Sequence, residues 1–287
     1  MSDFSKIYKM NELVTIQGPN GALRTNKRIV SKDAPCVILC CGHNGFYHFA
    51  FFPTLQDELE KHGFSSIAFN YSHNGISGDG DIFDELEKYE QNCRTLEVSD
   101  TLFLLHEIRK DGTLDSDAPL IVFGHSMGGI TATFTVRVAL EQHIPICALT
   151  LLCSMKTLNV RTPEVMQEWR EKGVYFRYNS RTKQDLPQGK SFLKETEAFE
   201  NEWNMEHCIS QLRLPIYIAH SVDDESVPFE HGRSLFGWCY RANTATTFLP
   251  IPHANHTLNT THLGDKTSNE LTLFIENWVK WLQKIRD

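Results

Sequence analysis

The chain has 287 residues, 41% of them hydrophobic, and a formal net charge of −8. That supports one large domain, or one domain with a modest insertion, around a sizeable core. The acidic balance argues against nucleic-acid binding, which usually shows a basic patch or stripe.

The first residues, "MSDFSKIYKMNELVTIQ", lack the apolar core of a signal peptide. No apolar run approaches the ~18 residues that a membrane span needs. The default reading is a soluble, cytoplasmic protein with no membrane span. There are eight cysteines, several inside apolar strand-like runs, and no C-x-x-C. Small buried thiols fit that pattern better than disulfides or structural zinc.

"ELVTIQ" and "ALRTNKRIV", separated by "GPNG", read as an antiparallel hairpin. "CVILC" follows as a continuous apolar run, the pattern of a strand buried on both faces. "FPTLQDELEKHG" has helical spacing, with Gly63 where a helix would end. "SSIAFNY" is the next strand, and residues from about Asp84 to Lys110 read as one long helix. "APLIVFG" is a strand, and Ser126 to about Glu141 a helix. "PICALTLLC", "LPIYIAH" and "TATTFLP" are further strands, and "SNELTLFIENWVKWLQKI" is a closing amphipathic helix.

Strand, helix, strand, repeated, predicts an α/β fold: a mostly parallel central sheet with helices on both faces. Functional loops are then expected at the carboxyl ends of the strands. Residues from about 154 to 213 break the rhythm. They are polar and aromatic-rich, with Trp169, Tyr175, Phe176, Tyr178, Phe192, Phe199 and Trp203. They read as a small helical cap inserted into a single domain spanning 1–287.

"IVFGHSMGG" follows a strand and opens a helix. Gly124-x-Ser126-x-Gly128 is the nucleophile-elbow pattern, in which glycines permit a tight turn and expose the serine hydroxyl. A serine hydroxyl is a weak nucleophile until a base oriented by a third group activates it. In this architecture the acid and then the histidine follow the serine in chain order. "LPIYIAHSVDDESVP" offers Asp223 and Asp224, and "TATTFLPIPHANHTLN" offers His253 and His256. Asp224, four residues before Pro228, is favoured over Asp223. His256, deeper in its loop, is favoured over His253. His253, His256 and His262 match no specific metal spacing, so no metal is expected.

These stretches resemble the α/β-hydrolase superfamily over nearly the whole chain. More narrowly, they look like bacterial-type cytosolic serine esterases and dienelactone-hydrolase-like hydrolases. "GFYHFAFFPTLQDELEKHGFSSIAFNYSHNG", "GHSMGG", "EWREKGVYFRYNSRT" and "HSVDDESVP" with "PHANHTLNTTH" carry the likeness. The resemblance implies Ser126 as nucleophile, His256 as base and Asp224 as the orienting acid. It implies an oxyanion hole from the backbone N–H groups of Met127 and His43. The family usually has His-Gly-x where this chain has Cys41-Gly42-His43; that first histidine shapes the loop rather than doing chemistry.

The implied reaction is hydrolysis of a small-molecule carboxylic ester through an acyl-enzyme, with no cofactor. Thioester hydrolysis, peptide hydrolysis and acyl transfer use the same triad. A non-catalytic ligand-binding protein on this scaffold would often lack a triad member, whereas here each has a candidate in order. Trp169, Tyr175 and Phe176 are expected to contact substrate. Asp79 and Asp81 read as solvated loop charges. The sequence leaves a homodimer open.

Overall fold

The computed structural model describes residues 10–202, 204–242, 244–261 and 267–286. The chain opens with β1 (Met10–Gly18) and β2 (Gly21–Ile29), paired antiparallel through a two-residue turn. Then come β3 (Cys36–Cys40), α1 (Phe52–Lys61) and β4 (Ser65–Phe69). Next are α2 (Leu86–Gln91), α3 (Arg94–Lys110), β5 (Leu120–His125), α4 (Gly128–Glu141) and β6 (Ile146–Leu152). The following segment holds α5 (Pro163–Lys172), β7 (Tyr175–Asn179), β8 (Gln184–Gln188), α6 (Lys190–Glu202) and α7 (Met205–Gln211). The chain returns through β9 (Ile216–Ser221), α8 (Glu230–Arg241), β10 (Thr246–Ile251) and α9 (Asn269–Arg286).

Eight strands form one sheet in the order β1-β2-β4-β3-β5-β6-β9-β10. The contacts of β2 are antiparallel, and every pairing from β4 to β10 is parallel. Burial follows sequence. All residues of β3, β4, β5 and β9 are buried, as continuous apolar runs require. The outer strand β10 is only half-buried. Helix α4, with most of its residues buried, lies close against β5. Trp278 of α9 reaches the sheet, donating its Nε1–H to Thr150 Oγ1 at 2.9 Å. Among the described residues no helix is long and apolar enough to cross a membrane. All eight cysteines are unpaired; seven are buried and Cys147 is half-buried.

Three expectations need correction. The long helix from about Asp84 is two helices, broken at Asn92–Cys93. The break has a cause distant in sequence. The Glu195 carboxylate of α6 caps α3, accepting from Arg94 N–H at 2.5 Å and from Thr95 N–H at 2.8 Å. An anion at a helix N-terminus satisfies orphan donors and the helix dipole.

The segment after β6 is helical in the main, but β7 and β8 form an antiparallel hairpin within it. This hairpin is fastened to the 80s loop. Gln184 Nε2–H donates to Phe83 O at 2.7 Å, and Gly189 N–H donates to Glu90 O at 2.9 Å. Phe46, Ile76, Phe83, Tyr89 and Leu186 bury a small apolar cluster at that seam. Asp81 pairs with Arg181 at 3.2 Å, and Asp79 takes a bidentate pair from Arg24 at 2.7 and 2.9 Å. These carboxylates are ion-paired rather than merely solvated.

Candidate active site

Ser126 sits between the buried end of β5 and the start of α4, with φ 57°. A non-glycine residue is strained there, and such strain concentrates at functional sites. The surroundings hold it in place. Ser126 N–H donates to Leu152 O at 3.0 Å, and Ser126 O accepts from Met155 N–H at 3.1 Å. The glycines allow backbone contact. A Cβ on Gly124 would lie 2.5 Å from Gly128 O, and one on Gly128 would lie 2.3 Å from Cys41 O. A Cβ on Gly42 would lie 2.9 Å from the Ser126 Cβ. The loop after β3 therefore runs directly against Ser126, with His43 next along it.

The acid and histidine loops close the other side. Asp224 Oδ2 accepts from His256 Nδ1–H at 2.7 Å. Its Oδ1 accepts from the N–H groups of Ser226 and Val227 at 2.9 and 2.8 Å. Burial pushes this carboxyl up, but the His256 hydrogen bond and charge and the Val227 N–H outweigh it, and the net direction is down. Asp224 is thus a carboxylate that fixes the His256 proton on Nδ1 and leaves Nε2 as an acceptor. Asp223 does something else: its Oδ2 accepts from His253 N–H at 2.8 Å and pins the turn before His256. His253 has φ 60° in that turn. Ser126 and His256 line one cavity of about 630 Å³, and Met127 and His43 line it too.

Three supporting histidines carry no signal in the sequence beyond their place in strands or at a helix start. His125 Nε2–H donates to His256 O at 3.1 Å, and its ring lies 4.7 Å from that of His256. Burial, then the neighbouring His256, pushes His125 down to about 3. His220 Nε2–H donates to Val227 O at 2.9 Å and lies 3.8 Å from Asp224 Oδ2. His231 Nδ1 accepts from Lys156 N–H at 3.0 Å.

The tautomer of His43 follows from its neighbours. Arg161 Nη2–H donates to Gln188 Oε1 at 2.5 Å, and Gln188 Nε2 lies 2.7 Å from His43 Nε2. An arginine only donates, so the Gln188 oxygen must face it and the amide nitrogen must face His43. His43 Nε2 is then an acceptor and the ring is neutral. Burial, then Arg94, Arg177 and Arg161, pushes His43 well down, in the same sense. The Tyr89 hydroxyl, 2.9 Å from the same nitrogen, donates to Asn44 Oδ1. Cys41 is buried in the core with its Sγ 3.9 Å from Phe69 O.

The three aromatics expected at the substrate divide. Tyr175 lines the cavity. Trp169 is fully buried and packs the insertion together, with Tyr175 and Phe192 against its ring. Phe176 is 56% exposed. The cause is β7: side chains alternate along a strand, so Tyr175 and Arg177 share one face and Phe176 takes the other. His262 and Trp203 lie outside the described residues.

Among the described residues, one group of metal-capable atoms lies within 4.8 Å of one another: Cys153, Asp224 and His256. The donor set fits zinc poorly. Asp224 and His256 already hydrogen-bond to each other. Burial, then the Asp224 charge, pushes the Cys153 thiol well up, away from the thiolate that zinc takes.

No family model matches the chain, and no curated protein matches it. Solved structures do. Est1E from Butyrivibrio proteoclasticus, solved with ferulic acid bound, superposes with TM-score 0.72 at 16% identity, over 94% of this chain and 98% of that one. The esterase domain of a Rhodothermus marinus protein gives TM-score 0.61 at 17% identity, over 96% and 98%. This chain has the α/β-hydrolase fold. A dienelactone hydrolase from Anabaena variabilis shares it, with TM-score 0.60 at 11% identity, over 96% of this chain and 98% of that one.

Proposed function

We propose that the chain is a serine hydrolase that cleaves carboxylic esters through Ser126, His256 and Asp224. One observation carries the reading: a strained serine at a strand-to-helix turn shares a cavity with a histidine whose Nδ1–H is held by a buried carboxylate. That is the division of labour a weak nucleophile needs.

In the proposed cycle His256 Nε2 takes the Ser126 proton as the hydroxyl attacks the ester carbonyl. The carbonyl oxygen becomes an oxyanion, held by the N–H groups of His43 and Met127. Each such preorganised donor is worth about 3–4 kcal/mol in other hydrolases. His256 then gives its proton to the leaving alcohol, and water repeats the steps on the acyl-enzyme. Asp224 stabilises the imidazolium that forms on the way. Eight unpaired cysteines suit a reducing compartment, and the cytoplasm is the proposed site of action.

The test is turnover of short-chain nitrophenyl esters by wild type and Ser126→Ala. Turnover in wild type that drops by at least about 10⁴-fold in the variant supports the reading. Equal rates in both, or no turnover of any ester or thioester, sinks it.

A further inference from the structure

The protein is acidic overall, yet its cavity presents arginines. Arg161 and Arg177 both line the cavity that holds Ser126 and His256. Among the described residues neither has a carboxylate within ion-pair distance. The lining carboxylate Glu225 is exposed and follows Asp224 in sequence. Glu197, beside Arg161 in a neighbouring cavity, is paired with Arg170.

Arg161 is the more telling of the two. Its guanidinium lies over the rings of Trp169, Phe192 and Tyr175, at 4.9, 5.4 and 5.7 Å from the centroids. Those contacts hold the cation among three aromatic rings. Its Nη2–H is committed to Gln188 Oε1, and Nη1 is buried with no hydrogen-bond partner. Buried polar atoms are normally satisfied, and an unpaired buried charge is expensive. Burial, then repulsion from Arg177, pushes Arg161 below its ordinary value. A guanidinium with a buried, unpartnered Nη1 and a second, exposed guanidinium on the same cavity beside a proposed nucleophile make sense if a bound anion pairs with them.

We propose that Arg161 and Arg177 bind a carboxylate carried by the ester substrate, so that the preferred substrates are monoesters of dicarboxylic acids. The inference rests on the hydrolase reading for the position of the ester. A carboxylate has two oxygens and so can accept charge-assisted hydrogen bonds from both guanidinium groups at once. Arg161 also connects through Gln188 to His43, so the group that holds the anion braces the loop that carries a proposed oxyanion donor.

The experiment uses binding, so that it does not depend on turnover. Ser126→Ala protein is titrated calorimetrically with monomethyl adipate, dimethyl adipate and an analogue bearing a phosphate monoester in place of the carboxylate. The monoester should bind at least about tenfold more tightly than the diester. Adding Arg177→Gln, or Arg161→Lys, which keeps the charge but loses the fork, should shrink that preference to about threefold or less. Arg170→Gln should leave it in place. Equal binding of the two adipates, a preference that survives both substitutions, or tightest binding of the phosphate analogue would overturn the proposal. Fluorophosphonate labelling of wild type separates the two claims. Labelling at Ser126 without charge preference retires the carboxylate site alone. Charge preference without labelling retires the hydrolase reading alone.

Discussion

On one side of Ser126 the chain is held by backbone contacts that leave no room for a further carbon atom. On the other side, the insertion meets the cavity with arginines and a tyrosine. The first wall is built from β3, β5 and α4, where Gly42, Gly124 and Gly128 let backbone touch backbone. The second is built from β7 and the residues before α5, where long side chains set the shape. The difference separates two jobs. Rigid backbone geometry can fix the proposed nucleophile and oxyanion donors, while side chains on the β7–β8 hairpin can change what enters without disturbing them.

The largest effect should come from breaking the first wall's partner loop. Asp224→Asn leaves a neutral amide beside His256 Nδ1 and should lower kcat by roughly 10⁴-fold. Asp223→Asn should cost far less, because its partner is only the His253 N–H. Steady-state kinetics of both variants check the ranking, and the reverse order would exchange the roles assigned to the two carboxylates. Gly42→Ala comes next. Its new Cβ would press on Ser126 and displace the His43 loop, with an expected loss of about 10²–10³ in kcat, comparable to removing one oxyanion donor. An unchanged kcat would mean that this loop gives way easily.

The support behind the second wall should break more gently. Glu195→Ala removes the carboxylate that caps α3 and leaves the buried Arg94 N–H unsatisfied, a loss of about 1–3 kcal/mol. Urea unfolding should show the loss, and hydrogen exchange should rise first in α3 and α6 if Glu195 ties the insertion to the body.

How far the sequence foretold this depends on distance along the chain. Strands such as "CVILC" and "LIVFGH" announce themselves because burial on both faces writes a continuous apolar run. Ser126 was legible because a strand, two glycines and a helix lie within a few residues of it. The break at Asn92–Cys93 was not, because its cause, Glu195, is about a hundred residues away. The hairpin β7–β8 is short and polar, so no alternation of buried residues marks it. Arg161 and Arg177 look like ordinary surface charges in the sequence, and only the fold brings them to the cavity of Ser126.

A last effect concerns the whole molecule. Burial, helped by His256, pushes His125 down to about 3, and burial with Lys156 pushes His231 down to about 4. Both are neutral in the folded protein, while an unfolded histidine titrates near about 6.5. The unfolded chain therefore binds more protons below that pH, so stability is fully present above it and falls as pH drops towards about 4. Melting temperature against pH should decline through that window, and a flat profile would contradict the buried neutral state of both rings.

The central claim is that Ser126 is a nucleophile activated by His256. Peptide mapping after reaction with a fluorophosphonate tests it most directly. The account predicts one adduct, on Ser126, whose rate of formation collapses in a folded His256→Ala variant. An adduct on another residue, or labelling of Ser126 at an unchanged rate without His256, would contradict it.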